Sequence, residues 1–258
     1  MRAPQITGKP ITQARLHQRV VEELLKQIVG GALPPGTTLP SEPELARQFG
    51  VSRIVIREAI RILVEKGLVA VRHGSGMWVQ PPEQWDQLDP MILLEQIRSQ
   101  RDPRRLEELL ELRSILEVAA AELATLRRTP EQVARLQDLL ERMRAAVADP
   151  AAYGNLDQAF HHAIAEAAGN RLLGEARQPL GEVLATAWLL TGRAPERLAR
   201  AQQEHEELYA AIAAGDPFAA RQAMQRHLEQ EAEAIRSELA LPARDLATIA
   251  SDGREAAD

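Results

Sequence analysis

The sequence has 258 residues, of which 45% are hydrophobic, 26% charged and 3% aromatic, a composition typical of a globular protein with one large domain or two ordinary ones. The absence of cysteine excludes disulfides and thiolate metal sites. The net charge of −6 is unevenly distributed, since residues 1–84 carry 11 Lys and Arg against 7 Asp and Glu, a net of +4. This asymmetry favours a first domain that faces a polyanion.

The first predicted elements include two helices joined by a tight turn. Residues 14–29 space apolar side chains by four, which predicts an amphipathic helix. After a break rich in Gly and Pro, "SEPE" at 41–44 is typical of a capping box and begins a short helix that ends at about Phe49. "GVS" predicts a tight turn, and a longer helix runs from about Ser52 to Lys66. Two helices around such a turn indicate a helix-turn-helix.

The longer helix has two distinct faces. On one face, Arg53, Arg57 and Arg61 repeat every four residues and point the same way. Guanidinium groups bind phosphates and guanine edges bidentately, so this stripe is a candidate DNA-contacting surface. The alternative is a solvated face whose charges are balanced by Glu58 and Glu65. The opposite, apolar face is predicted to pack in the core through four residues: Ile56, Ile60, Leu63 and Val64.

The segment after this helix predicts a β-hairpin. "LVAVRHGSGMWV" at 68–79 alternates on both sides of "HGSG", which is typical of two strands joined by a glycine turn. A hairpin that directly follows a basic second helix is the wing of a winged helix-turn-helix. We expect His73, at the tip of this wing, to lie against the DNA backbone or in a groove.

Residues 39–79 resemble the DNA-binding domain of GntR-type bacterial transcription regulators. The resemblance rests on "LPSE", "LA..FGVSR", "REAI..L...GL" and the "HGSG" wing. Ile54 and Val55 replace polar or proline residues often found in the family, and either can pack against a thymine methyl. The resemblance implies operator contacts from the recognition helix and the wing by five residues: Ser52, Arg53, Arg57, His73 and Gly74.

The remaining chain predicts helices only. "QPPEQWDQLDP" at 80–90 is the best candidate for a linker, because prolines punctuate a polar stretch. Turn signals then divide the chain into about six amphipathic segments, with the first long helix at 103–126 and the next at 130–148. This pattern predicts an all-helical antiparallel bundle.

Four of the six histidines lie in this second half: His161, His162, His205 and His227. Asp157 and His161 are four residues apart and share a helix face, whereas His162 is rotated by about 100°. With His205 and His227 from two later helices, they form a candidate metal site inside the bundle. Nitrogen and oxygen ligands without sulfur are compatible with Zn²⁺, Ni²⁺, Mn²⁺ or Fe²⁺. The alternative is solvated histidines with ordinary hydrogen bonds.

The second half also resembles a family domain, the FCD ligand-binding domain of the FadR-like subgroup of GntR regulators. The resemblance rests on "LELRSILEVAAAELA", "D..FH", "AAGN" and "EH..L..AI..GD...A...M..HL", which span most of residues 103–230. It implies that Asp157, His161, His205 and His227 hold a divalent metal. It also implies that Arg113 binds an organic-acid effector. Asn170 and Trp188 are further candidates for the pocket, with a helix cap and a core or interface aromatic as their respective alternatives.

These patterns and resemblances predict a metabolite-responsive transcription regulator, a homodimeric repressor of a palindromic operator. Its effector is expected to be a hydroxy, dicarboxylic or sugar acid. One alternative is a metal-dependent enzyme that acts on a small organic acid, but catalysis does not explain the helix-turn-helix. The other is a DNA-binding module whose second half only dimerises. Because no segment predicts a membrane span or a secretion signal, we expect a cytoplasmic protein.

The expected fold is mainly α, with an N-terminal winged helix-turn-helix and a C-terminal FCD-type antiparallel bundle. The predicted order is a DNA-binding domain (12–81), a linker and connecting helix (82–102), a helical effector-binding and dimerisation domain (103–240), and a flexible tail (241–258).

Overall fold

The computed structural model describes residues 14–72, 74, 76–99, 104–191 and 195–238. The chain divides into two compact units, 1–101 and 102–258. The predicted tail, 241–258, lies outside the described residues. Within the described ranges, no helix is both long and apolar enough to cross a membrane.

The described part of the first unit combines helices with a small sheet. The elements are α1 (Ala14–Val29), β1 (Thr38–Leu39), α2 (Glu42–Phe49), α3 (Arg53–Glu65), β2 (Val69–Arg72), β3 (Gly76–Val79) and α4 (Pro90–Ser99). The three strands pair antiparallel in the order β1-β3-β2, with Thr38 opposite Trp78 and Val69 opposite Val79. This arrangement confirms the predicted winged helix-turn-helix.

The turn between α2 and α3 follows from local sequence signals. Glu44 accepts a hydrogen bond from the Ser41 backbone N–H at 2.9 Å, as the predicted capping box requires. Gly50 ends α2 with φ +64°, a left-handed conformation that glycine adopts at low cost. Ser52 then caps α3, because its Oγ accepts a hydrogen bond from the Val55 N–H at 3.4 Å.

The apolar face of α3 packs in the core of the first unit. Ile56 and Leu63 are fully buried, and Ile60 is 4% exposed, as predicted. Val64 was predicted on the same face, but this is wrong, since Val64 is 40% exposed. Consecutive helical residues are rotated by about 100°, so Leu63 takes the core-facing position and turns Val64 away. Val55, 5% exposed, belongs to the buried face instead.

The segment after the wing also packs on the first unit. A short 3₁₀ turn at Pro82–Gln84 precedes Trp85, which is 8% exposed and donates a hydrogen bond from Nε1 to the Gln80 carbonyl at 3.0 Å. Ile92 of α4 is fully buried in the same core, and Lys66 pairs with Asp89. Much of the segment predicted as a linker and connecting helix therefore adds to the first unit.

The described residues of the second unit form six helices and no strand. Thr129 caps the helix that begins at Pro130, in a capping box with Gln132, and Asp149 caps the helix that begins at Pro150. The core includes Phe160, Met143 and Leu136, all fully buried. The helix bounds are α5 (Arg104–Arg127), α6 (Pro130–Ala145), α7 (Pro150–Ala167), α8 (Arg171–Thr191), α9 (Pro195–Ala214) and α10 (Pro217–Glu238).

Candidate metal centre and nucleic-acid interface

Three helices of the second unit bring Asp157, His161, His205 and His227 together. Asp157 and His161 lie one turn apart on α7, while α9 supplies His205 and α10 supplies His227. All four side chains are buried, and each offers one ligand atom within 4.8 Å of the others. The juxtaposition therefore matches the predicted ligand set.

The distances between these atoms fit a single divalent ion. His205 Nε2 lies 3.2 Å from Asp157 Oδ1 and 3.3 Å from His161 Nε2, and His161 Nε2 lies 3.9 Å from the same Asp157 oxygen. Nitrogen and oxygen ligands lie about 2.0–2.2 Å from Zn²⁺, so ligand atoms about 3–4 Å apart can share one ion. Within the described ranges, neither carboxylate oxygen of Asp157 nor Nε2 of His227 has a hydrogen-bond partner of acceptable geometry. Such buried polar atoms are costly unless they bind something, so the residues fit a metal ion.

Each imidazole has a partner at its other nitrogen. His161 Nδ1 lies 2.5 Å from Glu117 Oε2, and His227 Nδ1 lies 3.0 Å from Glu204 Oε2. The Tyr153 hydroxyl lies 3.3 Å from His205 Nδ1. Partners at Nδ1 fix the ring and leave Nε2 directed at the common centre, which is the arrangement found around histidines that bind metals.

Burial and neighbouring charges shift the pKa values of the ligands. Burial lowers the pKa of His205 to about 4, with the charge of His227 acting in the same direction, so this imidazole is neutral at pH 7. Burial acts to raise the pKa of Asp157, but the neighbouring His205 and His161 together outweigh it, so the pKa is lowered and the carboxyl is ionised. Burial acts to lower the pKa of His227, but Glu231, Glu204 and Asp157 together outweigh it, and the pKa is raised. A metal ion bound at this imidazole would therefore compete with a proton.

Arg113, the predicted effector residue, lies beside the cluster in a network of ion pairs. Its Nε donates to Glu117 Oε1 at 3.0 Å, and its Nη1 lies 2.7 Å from Glu231 Oε2. Arg177 Nη1 contacts the same Glu117 oxygen at 3.4 Å. Burial opposes the charge on Arg113, but Glu117 and Glu231 raise its pKa above its usual value. The guanidinium group is therefore charged and held within reach of the cluster.

The arginine stripe of α3 lies on the opposite face from the core, as its spacing predicts. The Arg57 side chain is 71% exposed and pairs with Glu42 at 3.4 Å. Arg61 is held within its own helix by Glu58 at 3.1 Å and Glu65 at 2.6 Å. The arginines of the stripe therefore differ in available charge, because two carboxylates neutralise Arg61 locally.

Other candidate DNA contacts divide between exposed and buried positions. Arg53 and Ser52 are exposed at the start of α3, and Ile54 is 70% exposed there, whereas Val55 is buried and cannot reach a thymine methyl. Gly74 lies in the wing turn with φ +76°, and His73 lies outside the described residues.

Comparison with known proteins supplies the family. Residues 16–79 match the family described as bacterial regulatory proteins, gntR family, and residues 108–230 match the FCD domain. The galactonate operon transcriptional repressor of Escherichia coli (strain K12) is 33% identical over 206 residues, which cover 80% of this chain and 90% of the relative. The chain belongs to the GntR family.

Further relatives of this GntR-family chain agree. The HTH-type transcriptional regulator LutR of Bacillus subtilis (strain 168) is 34% identical over 208 residues, which cover 78% of the chain and 92% of LutR. Among solved structures, E. coli McbR/YncC has a TM-score of 0.52 at 25% identity, and the match covers 86% of this chain and 98% of McbR/YncC. The solved structure of Lar, described as controlling the expression of the Listeria monocytogenes agr system, shares the fold. Its TM-score is 0.64 at 19% identity, and the match covers 90% of this chain and 99% of that one.

The curated relatives are named as transcriptional regulators and not as enzymes. This confirms the predicted class over the enzyme alternative. The GntR domain provides operator-DNA binding, and the FCD domain contains a buried His/Asp cluster compatible with a metal.

Not every predicted residue of the FCD domain joins the cluster. Asn170 is exposed, and its Oδ1 accepts a hydrogen bond from the Leu173 N–H at 3.4 Å, which is the helix-cap alternative. Trp188 lies in α8, but its side chain is outside the described part. His162 is 48% exposed and lies 3.5 Å from Glu166, so it points away from the cluster, as its rotation predicts.

The structure also places residues in the cluster that sequence reasoning did not identify. They come from five different helices, and spacing alone does not single them out, because many glutamates at similar spacings are solvated. They are Glu117, Tyr153, Arg177, Glu204 and Glu231.

Proposed function

We propose that this GntR-family chain is a homodimeric repressor that an organic acid releases from a palindromic operator. Two copies would place their α3 helices in successive major grooves of the duplex, so that the two-fold symmetry of the dimer matches the operator. The exposed Arg53 and Arg57 and the wing turn at Gly74 support these contacts.

A divalent metal is the second part of the proposal, with Zn²⁺, Ni²⁺, Mn²⁺ and Fe²⁺ as candidates. Asp157, His161, His205 and His227 would hold it. The observation that carries this proposal is that three buried imidazoles and one carboxylate each offer a ligand atom within 4.8 Å of the others, while other groups contact the Nδ1 atoms of the imidazoles. When bound, the metal supplies a positive charge and open coordination positions for a carboxylate or hydroxyl oxygen.

Arg113 would bind the carboxylate of the effector. A bidentate guanidinium group is suited to a carboxylate, and Arg113 lies in the same buried cluster as His227 through Glu231. The name of the E. coli relative, a galactonate operon repressor, favours a sugar acid or a related hydroxy acid. Because Arg113 is already paired with two carboxylates, the acid has to compete with them for the guanidinium group.

The effector acts only through a difference in affinity. It releases the operator if it binds the free conformation more tightly than the DNA-bound one, and it has no effect if it binds both equally. Its binding also stabilises the fold by mass action.

The test starts with an operator selected by the protein from a random duplex library. We expect a palindromic sequence, and we expect metal-loaded protein to leave it when galactonate, gluconate or lactate is added. Metal-stripped protein should bind the same duplex but should not respond to these acids. A selected site without two-fold symmetry would contradict the dimeric arrangement, and release by an acid without metal would contradict the role of the metal.

A further inference from the structure

Glu231 occupies a position between the two groups that the proposed effector would contact. It lies on α10, one turn after His227, and is 3% exposed. Its Oε2 is 2.7 Å from Arg113 Nη1 and 3.6 Å from His227 Nε2. One carboxylate of the chain therefore already lies between the guanidinium group and a nitrogen that faces the candidate metal.

Carboxylates outnumber guanidinium groups among the most deeply buried residues around Glu231. Of the described cluster residues that are at most 4% exposed, three carry a carboxylate (Asp157, Glu117 and Glu231) and two carry a guanidinium group (Arg113 and Arg177). The surplus is one negative charge. Nearby acidic groups outside this set have their own partners, since Glu107 pairs with Arg236 and Glu204 pairs with Arg200.

A divalent ion reverses this surplus. Histidines that bind a metal are neutral, so two positive charges added to a surplus of one negative charge leave one positive charge. A single carboxylate brought in by an effector then makes the buried site neutral. A second carboxylate at the same site is uncompensated, and an unpaired buried charge is strongly unfavourable.

We propose that Glu231 fixes the charge of the effector, so that the metal-loaded site accepts an acid with one carboxylate and rejects an acid with two. This inference rests on the proposed function, because it assumes the metal and the acid. It narrows the effector from organic acids in general to monoanionic hydroxy acids and aldonic acids. Glu231 acts here as a specificity-determining residue, through its charge and its place beside Arg113.

The groove between α9 and α10 is consistent with this role. It has a volume of about 250 Å³ and is lined in part by Arg197, Arg200, Glu204 and Glu231. Glu204 and Glu231 thus line the groove and also belong to the cluster around His227. Pockets for drug-sized ligands measure about 300–1,000 Å³, so a groove of this size suits a small acid.

Galactonate and galactarate make a matched pair of probes. They have the same carbon chain and the same four inner hydroxyls, and they differ only in a terminal hydroxymethyl group against a second carboxylate. Isothermal titration of Zn²⁺-loaded wild-type protein should show galactonate binding at least about tenfold more tightly, because like charges brought together in a buried site are costly. Equal affinities in the wild type would already overturn the proposal.

The decisive variant is Glu231→Gln, which keeps the shape and removes the charge. It should move the galactonate-to-galactarate affinity ratio by at least about tenfold toward galactarate. The matched control is Glu233→Gln, because Glu233 lines the same groove but is exposed on α10. Elemental analysis and far-UV circular dichroism check that both variants keep metal and fold, and Glu231→Asp, which retains the charge, should keep the wild-type preference.

The outcomes distinguish failure of the assignment to Glu231 from failure of the proposed effector function. If both acids bind but Glu231→Gln leaves the ratio unchanged, or Glu233→Gln shifts it equally, the assignment to Glu231 is overturned and the effector site stands. If the metal-loaded wild type binds neither these acids nor lactate and malate, the proposed effector function fails, and the inference fails with it. If Glu231→Gln does not fold, the wild-type ratio and Glu231→Asp still decide the inference.

Discussion

The arginine stripe of α3 and the His/Asp cluster of the second unit are both candidate binding regions, but they are built in opposite ways. Arg53 and Arg57 are exposed on one helix and need little support. The cluster is buried, comes from three helices, and has a further layer of partners that orient it. Exposed cations suit a large polyanion that approaches from outside, whereas a buried, orientated set of ligands suits a small ion or molecule that must be desolvated.

The sharpest test of this contrast is loss of the buried ligands. His205→Ala and His227→Ala should each lower the metal content from about one ion per chain to background, because a site with four donors loses one directly. Elemental analysis of purified protein measures this. His162→Ala is the matched control, since His162 is exposed on the adjacent position of α7, and it should keep its metal. Equal metal content in all three variants would contradict the site.

The exposed region should respond through affinity for DNA and its salt dependence. The double variant Arg53→Ala, Arg57→Ala should weaken operator binding by about 100-fold. If each arginine contacts one phosphate, the slope of log affinity against log salt concentration should fall by about 2. Fluorescence anisotropy at several salt concentrations measures both. Arg61→Ala removes the same charge from the same stripe, but Glu58 and Glu65 already hold it, so its effect should be below about tenfold.

The layer of partners around the cluster should have a smaller effect than the ligands. Tyr153→Phe removes the hydroxyl beside His205 Nδ1 and should weaken metal affinity by about tenfold, the lower end of the effect expected for such partners. Competition with a chelator measures the affinity. Tyr209→Phe is the control, because the Tyr209 hydroxyl contacts Gln137 away from the cluster. An effect of equal size in both variants would show that Tyr153 does not orient the ligand.

The two regions also differ in how far sequence could predict them. The stripe lies within one helix, so its spacing of four residues was enough to place Arg53, Arg57 and Arg61 on one face. The ligands on α9 and α10 could be listed from sequence, but their convergence with α7 depends on how the helices pack. Glu117 and Glu231 follow Arg113 and His227 by one helical turn, but many glutamates at this spacing are solvated. Their contacts with groups on other helices depend on packing, so sequence could not identify them.

The smallest predicted effect concerns an apolar side chain on α3, the helix that carries the arginine stripe. Ile54 is 70% exposed and has no packing role that explains its side chain, whereas its neighbour Val55 is buried. If Ile54 packs on a thymine methyl, Ile54→Ala should weaken the free energy of operator binding by about 1 kcal/mol, or about fivefold in affinity. The dependence of affinity on salt concentration should not change. Leu172→Ala, at a position 80% exposed in the second unit, should leave affinity unchanged. A change in salt slope for Ile54→Ala would instead indicate that the variant disturbs the neighbouring arginines.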